Sequence, residues 1–239
     1  MTETVATFLL RPKPSGFEIL LMQRPGGAFA PPSGRVHAGE DPRTAAARTP
    51  FEACGVLLAR DVDQLETLEM PSLPALRKKI RAGADATEVV RSVGLAWSTD
   101  AVLPWSHWLD GEDELRIYIA ETPPGMLPTF SREEQVEHAW MRPVDAQAHG
   151  DFEPPFVRTC WELAREATIA EVFAAARTRA EEALAIAPRR DNTAWLLPWD
   201  PEYGAPLEFQ PKWAIGPSRF VLEDRTWKHI AAPGSTRAG

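Results

Sequence analysis

Two short apolar runs, residues 5–10 and 17–23, each have the length and β-branched or aromatic content of a strand. Between them lies Arg11-Pro-Lys-Pro-Ser-Gly16, a turn-forming segment that makes a hairpin the simplest join. Residues 24–34, Arg-Pro-Gly-Gly-Ala-Phe-Ala-Pro-Pro-Ser-Gly, are too rich in proline and glycine for a helix and read as a loop. A helix then begins: Glu40 or Asp41 can cap it, Pro42 suits its first turn, residues 43–47 are good helix formers, and Gly55 is a natural stop. Pro50 lies inside this span, so the pattern predicts either a kink there or a new turn beginning there. Short amphipathic stretches at 76–80 and 86–93 read as small helices within an insertion. The segments 95–97 and 103–109 are apolar and aromatic, 114–120 alternates as a strand, and 137–141 is a weaker strand. The longest helical periodicity covers 163–187, and after Pro188 strands are expected at 195–197 and 219–222.

Bulk composition narrows this picture. A chain of 239 residues, 44% hydrophobic, can bury one sizeable core with an appended layer. The formal net charge of -8 argues against a broad nucleic-acid-binding face, while a small phosphorylated ligand stays compatible with a locally positive pocket. Cys54 and Cys160 are too few for a disulfide scaffold or a thiolate metal site. The opening residues lack a basic leader with a long apolar stretch, and no run approaches the roughly 18 apolar residues that cross a bilayer. The expectation is a cytoplasmic protein.

The chemistry is concentrated in residues 34–56, Gly-Arg-Val-His-Ala-Gly-Glu-Asp-Pro-Arg-Thr-Ala-Ala-Ala-Arg-Thr-Pro-Phe-Glu-Ala-Cys-Gly-Val. Gly34, Glu40, Arg48, Glu52, Gly55 and Val56 fall in the register G-x5-E-x7-R-E-U-x-E-E-x-G-U, with U aliphatic, and the segment resembles the box of the Nudix hydrolase family. Leu103-Pro-Trp-Ser-His-Trp108, Leu115-Arg-Ile-Tyr-Ile-Ala120 and Leu197-Pro-Trp-Asp-Pro-Glu-Tyr203 are similar to segments of its coenzyme A diphosphatase-like branch, whose insertion is matched by residues 57–100.

This resemblance implies an α+β protein with the Nudix fold, a mixed-sheet α/β/α sandwich, carrying a helical insertion and a C-terminal helix plus strand-containing extension. Residues 1–190 would form the Nudix domain, with the insertion at about 57–100, and residues 191–239 an extension packed on it. In the family, three box glutamates bind Mg²⁺ or Mn²⁺, because carboxylates three or four residues apart on a helix meet at one point and hard cations prefer oxygen. The ions neutralise a diphosphate and activate water for attack on phosphorus. In this chain the three positions are Thr49, Glu52 and Ala53, so the box is degenerate and only Glu52 remains.

Glu134, six residues before Trp140, stands where the resemblance implies a metal-binding or water-activating glutamate, with Glu133 an adjacent alternative, although Arg132, Glu133 and Glu134 also read as a solvated charge run. The resemblance makes Glu52, Arg48 and Glu134 the catalytic set, with Arg48 orienting box carboxylates. His37 and Arg24 would contact substrate, while Gly34, Glu40 and Gly55 would shape the motif. Cys54 reads as inert packing, and the tryptophans at 97, 105 and 108 as core or interface. A homodimer is implied by the resemblance alone. Two functions follow: a metal-dependent hydrolase of a nucleoside- or coenzyme A-linked diphosphate, or a catalytically impaired Nudix-fold protein that binds a small metabolite.

Overall fold

The computed structural model describes residues 2–23, 28–61, 73–130, 137–147, 152–190, 194–204, 207, 209–224 and 226–232. In chain order the elements begin with β1 (Thr2–Lys13), β2 (Gly16–Gln23), β3 (Phe29–Ala30), β4 (Ser33–Arg35) and α1 (Pro42–Cys54). The inserted region contributes β5 (Ala59–Asp61), α2 (Leu73–Arg81), α3 (Ala86–Arg91) and β6 (Leu95–Trp97). Then come β7 (Leu103–Asp110), β8 (Asp113–Glu121), β9 (His138–Met141), α4 (Pro143–Gln147), α5 (Pro154–Leu163) and α6 (Ile169–Glu181). The chain ends with β10 (Ala185–Ile186), β11 (Arg189–Arg190), β12 (Ala194–Leu196), β13 (Arg219–Glu223) and β14 (Thr226–Ile230). Among the described residues no helix is long and apolar enough to cross a membrane.

A mixed eight-stranded sheet organises the molecule in the order β10-β7-β8-β1-β2-β3, with β4 also on β1 and β9 on β2. The β1–β2 hairpin is antiparallel as its turn signal predicts, whereas β1 and β8 run parallel. The run at residues 5–10 is buried throughout because both faces of β1 are covered. Ala6, Phe8 and Leu10 join the core beneath α5 and α6, while Val5 and Leu9 face the core formed with α1 and the inserted helices. That is an α/β/α sandwich with the sheet in the middle layer.

The single helix expected over 163–187 is instead two helices and a strand. α5 starts earlier, at Pro154, where prolines in the first turn cost no hydrogen bond. α6 starts at Ile169 because Thr168 and Glu171 form a reciprocal capping box, and the chain is extended again by Ala185 to pair with β7. Helical periodicity cannot distinguish one helix from two that share a buried face.

The C-terminal strands β11–β14 form a second, four-stranded sheet. Leu197 and Phe220 belong to the same core as Phe8 and Phe156. A buried ion cluster binds this segment to α5. Arg158, 1% exposed, donates to Glu162 at 2.7 Å and to the carbonyls of Pro217 and Ile215 at 2.9 Å each. The other Glu162 oxygen accepts from Trp105 at 2.8 Å and pairs with Arg179 at 3.0 Å. Burial alone would raise the Glu162 pKa, but the two guanidiniums hold it below the ordinary carboxylate value.

Candidate functional site

The site grows from the edge of β1. β4 pairs antiparallel with β1, placing Gly34 opposite Val5 and directing the chain toward α1. The following loop is closed on itself: Glu40 N–H donates to the His37 carbonyl, and His37 N–H donates to the Glu40 carboxylate, both at 3.0 Å. Asp41 then caps α1, accepting from Arg43 N–H at 2.7 Å, with Pro42 in the first turn.

Arg48 ties this loop to its helix. Its guanidinium, 2% exposed, forks onto both Glu40 oxygens at 2.8 Å each. It also donates to the Arg35 carbonyl at 2.9 Å and to Glu52 at 2.7 Å. Burial would lower the Arg48 pKa and raise that of Glu40. The mutual hydrogen bonds and charges outweigh it, leaving Arg48 raised and Glu40 lowered. One buried cation therefore fixes the loop and also sets the direction of Glu52, whose side chain stays 27% exposed.

Pro50 does not restart the helix: α1 runs through it from Pro42 to Cys54. The proline nitrogen has no hydrogen for the carbonyl of Ala46, four residues back. The Thr7 hydroxyl on β1, 0% exposed, supplies the missing donor at 2.8 Å. The C-terminus of α1 is satisfied from outside the helix as well. Gly55 caps it in the left-handed region at φ 73°, and a side chain there would collide with Thr129. From the insertion, Arg77 donates to the carbonyls of Glu52 at 3.0 Å and of Ala53 and Thr129 at 2.8 Å each.

Between α1 and the inserted helices lies a cavity of about 630 Å³. Ser33, His37, Thr49, Glu52 and Ala53 line one side, and Ile80, Arg81 and residues 83–86 the other. Glu52 is the carboxylate that α1 presents there. Thr49 is 1% exposed, and its hydroxyl is buried without a hydrogen-bond partner. It packs so closely on Gly34 that a methyl at 34 would lie 2.8 Å from that oxygen, which is the reason for glycine there. Ala53 has no donor atom. Among the described residues no group of three His, Cys, Asp or Glu is placed to hold a metal ion.

The structure thus brings together Gly34, His37, Glu40, Arg48 and Glu52, while Gly55 ends α1 against Thr129. Arg24 and Glu134 lie outside the described residues. Cys54 is fully buried, its thiol donating to the Pro50 carbonyl at 3.1 Å, and burial pushes its pKa up to about 11, which suits packing rather than nucleophilic chemistry. Sequence reasoning missed Thr7, Arg77 and Arg81. For the first, the only signal was that a helical proline orphans a carbonyl. For the others it was the basic run at 77–81 on a predicted helix.

No protein-family model and no curated protein matches the chain. Solved structures do. A NUDIX hydrolase from Alicyclobacillus acidocaldarius overlays with a TM-score of 0.63 at 15% identity, over 73% of this chain and 96% of that one. A C. elegans Ap4A hydrolase covers 73% of this chain and 98% of its own at 17% identity, with a TM-score of 0.43. The first overlay carries the assignment, and at such identity it speaks for architecture alone: this chain has the Nudix fold.

Proposed function

We propose that the chain binds a small phosphorylated metabolite, a nucleoside- or coenzyme A-linked diphosphate, beside α1, and that its degenerate box serves binding rather than multi-ion phosphoryl chemistry. The observation that carries this reading is the cavity of about 630 Å³ lined by His37, Thr49, Glu52 and Ala53. That volume suits a metabolite. Those residues stand where the family resemblance places the ligand loop and the metal carboxylates. A hard cation needs several oxygen ligands, and the described residues of α1 offer one carboxylate, already accepting from Arg48. A multi-ion cluster does not fit this donor set.

A second reading, hydrolysis of the same diphosphate, is favoured by the intact Arg48 clamp, which keeps Glu52 aimed despite the losses around it. In that reading Glu52 and Glu134 would be the ligands of a single Mg²⁺ or Mn²⁺ ion, with His37 and Arg24 contacting substrate. Both readings take a small ligand rather than nucleic acid, consistent with the charge of -8. A homodimer belongs to the same proposal and is checked by sedimentation.

The deciding experiment presents purified protein with coenzyme A, ADP-ribose, NADH and dinucleoside polyphosphates, with Mg²⁺ or Mn²⁺, and follows binding and turnover together. Saturable binding without turnover supports the first reading. Chelator-sensitive release of two phosphate-containing products, abolished by Glu52→Gln with Glu134→Gln, supports the second. A folded sample that neither binds nor turns over any of them refutes both.

A further inference from the structure

A second cavity lies on the face of the central sheet opposite α1. Strand pairing sets Trp108, Leu115, Thr4 and Arg35 in one row across β7, β8, β1 and β4. Asp110, Asp113 and Thr2 form the next row. Paired residues point to the same side of a sheet, and alternate residues of a strand share a face. Both rows therefore lie on the side of Ala6 and Phe8, where α5 and the C-terminal strands pack. They are the floor of a cavity of about 500 Å³. The first turn of α5, with Trp195 of β12 and Trp227 of β14, forms its other walls.

Most of that lining is apolar, and much of its charge is engaged within the protein. Arg190 pairs with Asp110 and lies over the Trp195 ring, 3.5 Å from its centroid. α5 opens with Pro154 and Pro155, which have no N–H to offer an anion, and Glu153 precedes them. Two charges of opposite sign are left on the floor. Arg35 and Asp113 are both exposed, and among the described residues neither side chain has a hydrogen bond or ion pair. They stand two strands and two residues apart, about 12 Å between Cα atoms at ordinary strand spacing and rise. The length of the arginine side chain brings the two charges within the span of one small molecule.

We propose that this cavity binds a small zwitterion with an apolar body, an α-amino acid bearing an aromatic side chain. Its carboxylate pairs with the Arg35 guanidinium, a geometry that arginine forms in bidentate fashion. Its ammonium pairs with Asp113, and its ring lies against the tryptophan-lined wall. A cavity of this size suits such a molecule. A phosphorylated ligand does not suit it, because Asp110, Asp113 and Glu153 outnumber Arg35 and Arg190 around the space. The site is separate from the cavity beside α1, and it stands or falls independently of the function proposed there.

Titration calorimetry of the full chain tests this with three probes: L-tryptophan, tryptamine, which lacks the carboxylate, and indole-3-propionate, which lacks the ammonium. L-Tryptophan should bind at least about tenfold tighter than either, since each loses one charge-assisted pair. Arg35→Gln should weaken L-tryptophan and indole-3-propionate about tenfold and leave tryptamine unchanged. Asp113→Asn should weaken L-tryptophan and tryptamine by a similar factor and leave indole-3-propionate unchanged. Lys78→Gln, exposed on α2 at the opposite face of the sheet, should leave all three unchanged. Arg35 and Asp113 are exposed, so an unchanged thermal midpoint in their variants is expected and separates lost binding from lost folding. Tryptamine or indole-3-propionate binding as tightly as L-tryptophan would overturn the zwitterion. So would an equal loss of all three probes in either variant. If none of the three, nor L-phenylalanine, binds the folded protein, the cavity is not an amino-acid site.

Discussion

The Thr7–Ala46 hydrogen bond invites a quantitative test, because it offsets a defect that Pro50 creates in α1. Thr7→Val keeps the shape of the side chain and removes the hydroxyl that donates to the Ala46 carbonyl at 2.8 Å. Thr7 and Ala46 are both fully buried, so no water replaces the lost donor. The expected loss of stability is about 1–3 kcal/mol, the cost of one buried unsatisfied acceptor. Pro50→Ala puts an N–H back at the position that serves Ala46 in an ordinary helix, so Thr7→Val in that background should cost under about 1 kcal/mol. The coupling between the two substitutions is then about 1–2 kcal/mol. Urea unfolding of the four proteins measures it as midpoint shifts at constant m-value. Equal cost of Thr7→Val in both backgrounds would refute the argument, since it would mean that Ala46 does not depend on Thr7 for its donor.

Two further outcomes are expected. Arg48→Gln strips the shared partner from Glu40 and Glu52, which keep only 12% and 27% side-chain exposure, and should destabilise the protein by about 3 kcal/mol in thermal unfolding; an unchanged midpoint would show that the clamp does not stabilise the loop. Burial among the C-terminal strands drives the His229 pKa down from 6.5 to about 3. The unfolded chain therefore takes up that proton first. Stability from this group is complete above about pH 6.5 and drains by about 1.4 kcal/mol per unit as pH falls toward 3. His229→Gln, which retains a donor for the Pro217 carbonyl but cannot titrate, should flatten the stability profile over that window.

The motif that suggested a ligand site was legible because its parts are local. Asp41 and Pro42 mark a helix start and Gly55 a stop within one chain segment, and the Gly34-to-Val56 register needed no knowledge of what packs around it. The same local reading failed at 163–187, where the continuous apolar period hid the capping box at Thr168 and the helix beginning at Pro154. It also left open whether a new turn begins at Pro50, since the donor for the Ala46 carbonyl lies elsewhere in the chain.

By itself the sequence determined the order of strands and helices around residues 34–56, a helix there whose one carboxylate is Glu52, and the acidic balance of the chain. Tertiary structure decided what that helix faces. Thr7 reaches Ala46 across 39 residues, and Arg77 reaches Glu52 across 25 and Thr129 across 52. Caps, turns and periodicities act between residues a few positions apart, so a single chain records them. A donor for an orphaned carbonyl, or a cation across a cavity, is chosen by whichever side chain the sheet and insertion bring within about 3 Å, and no local pattern encodes that choice.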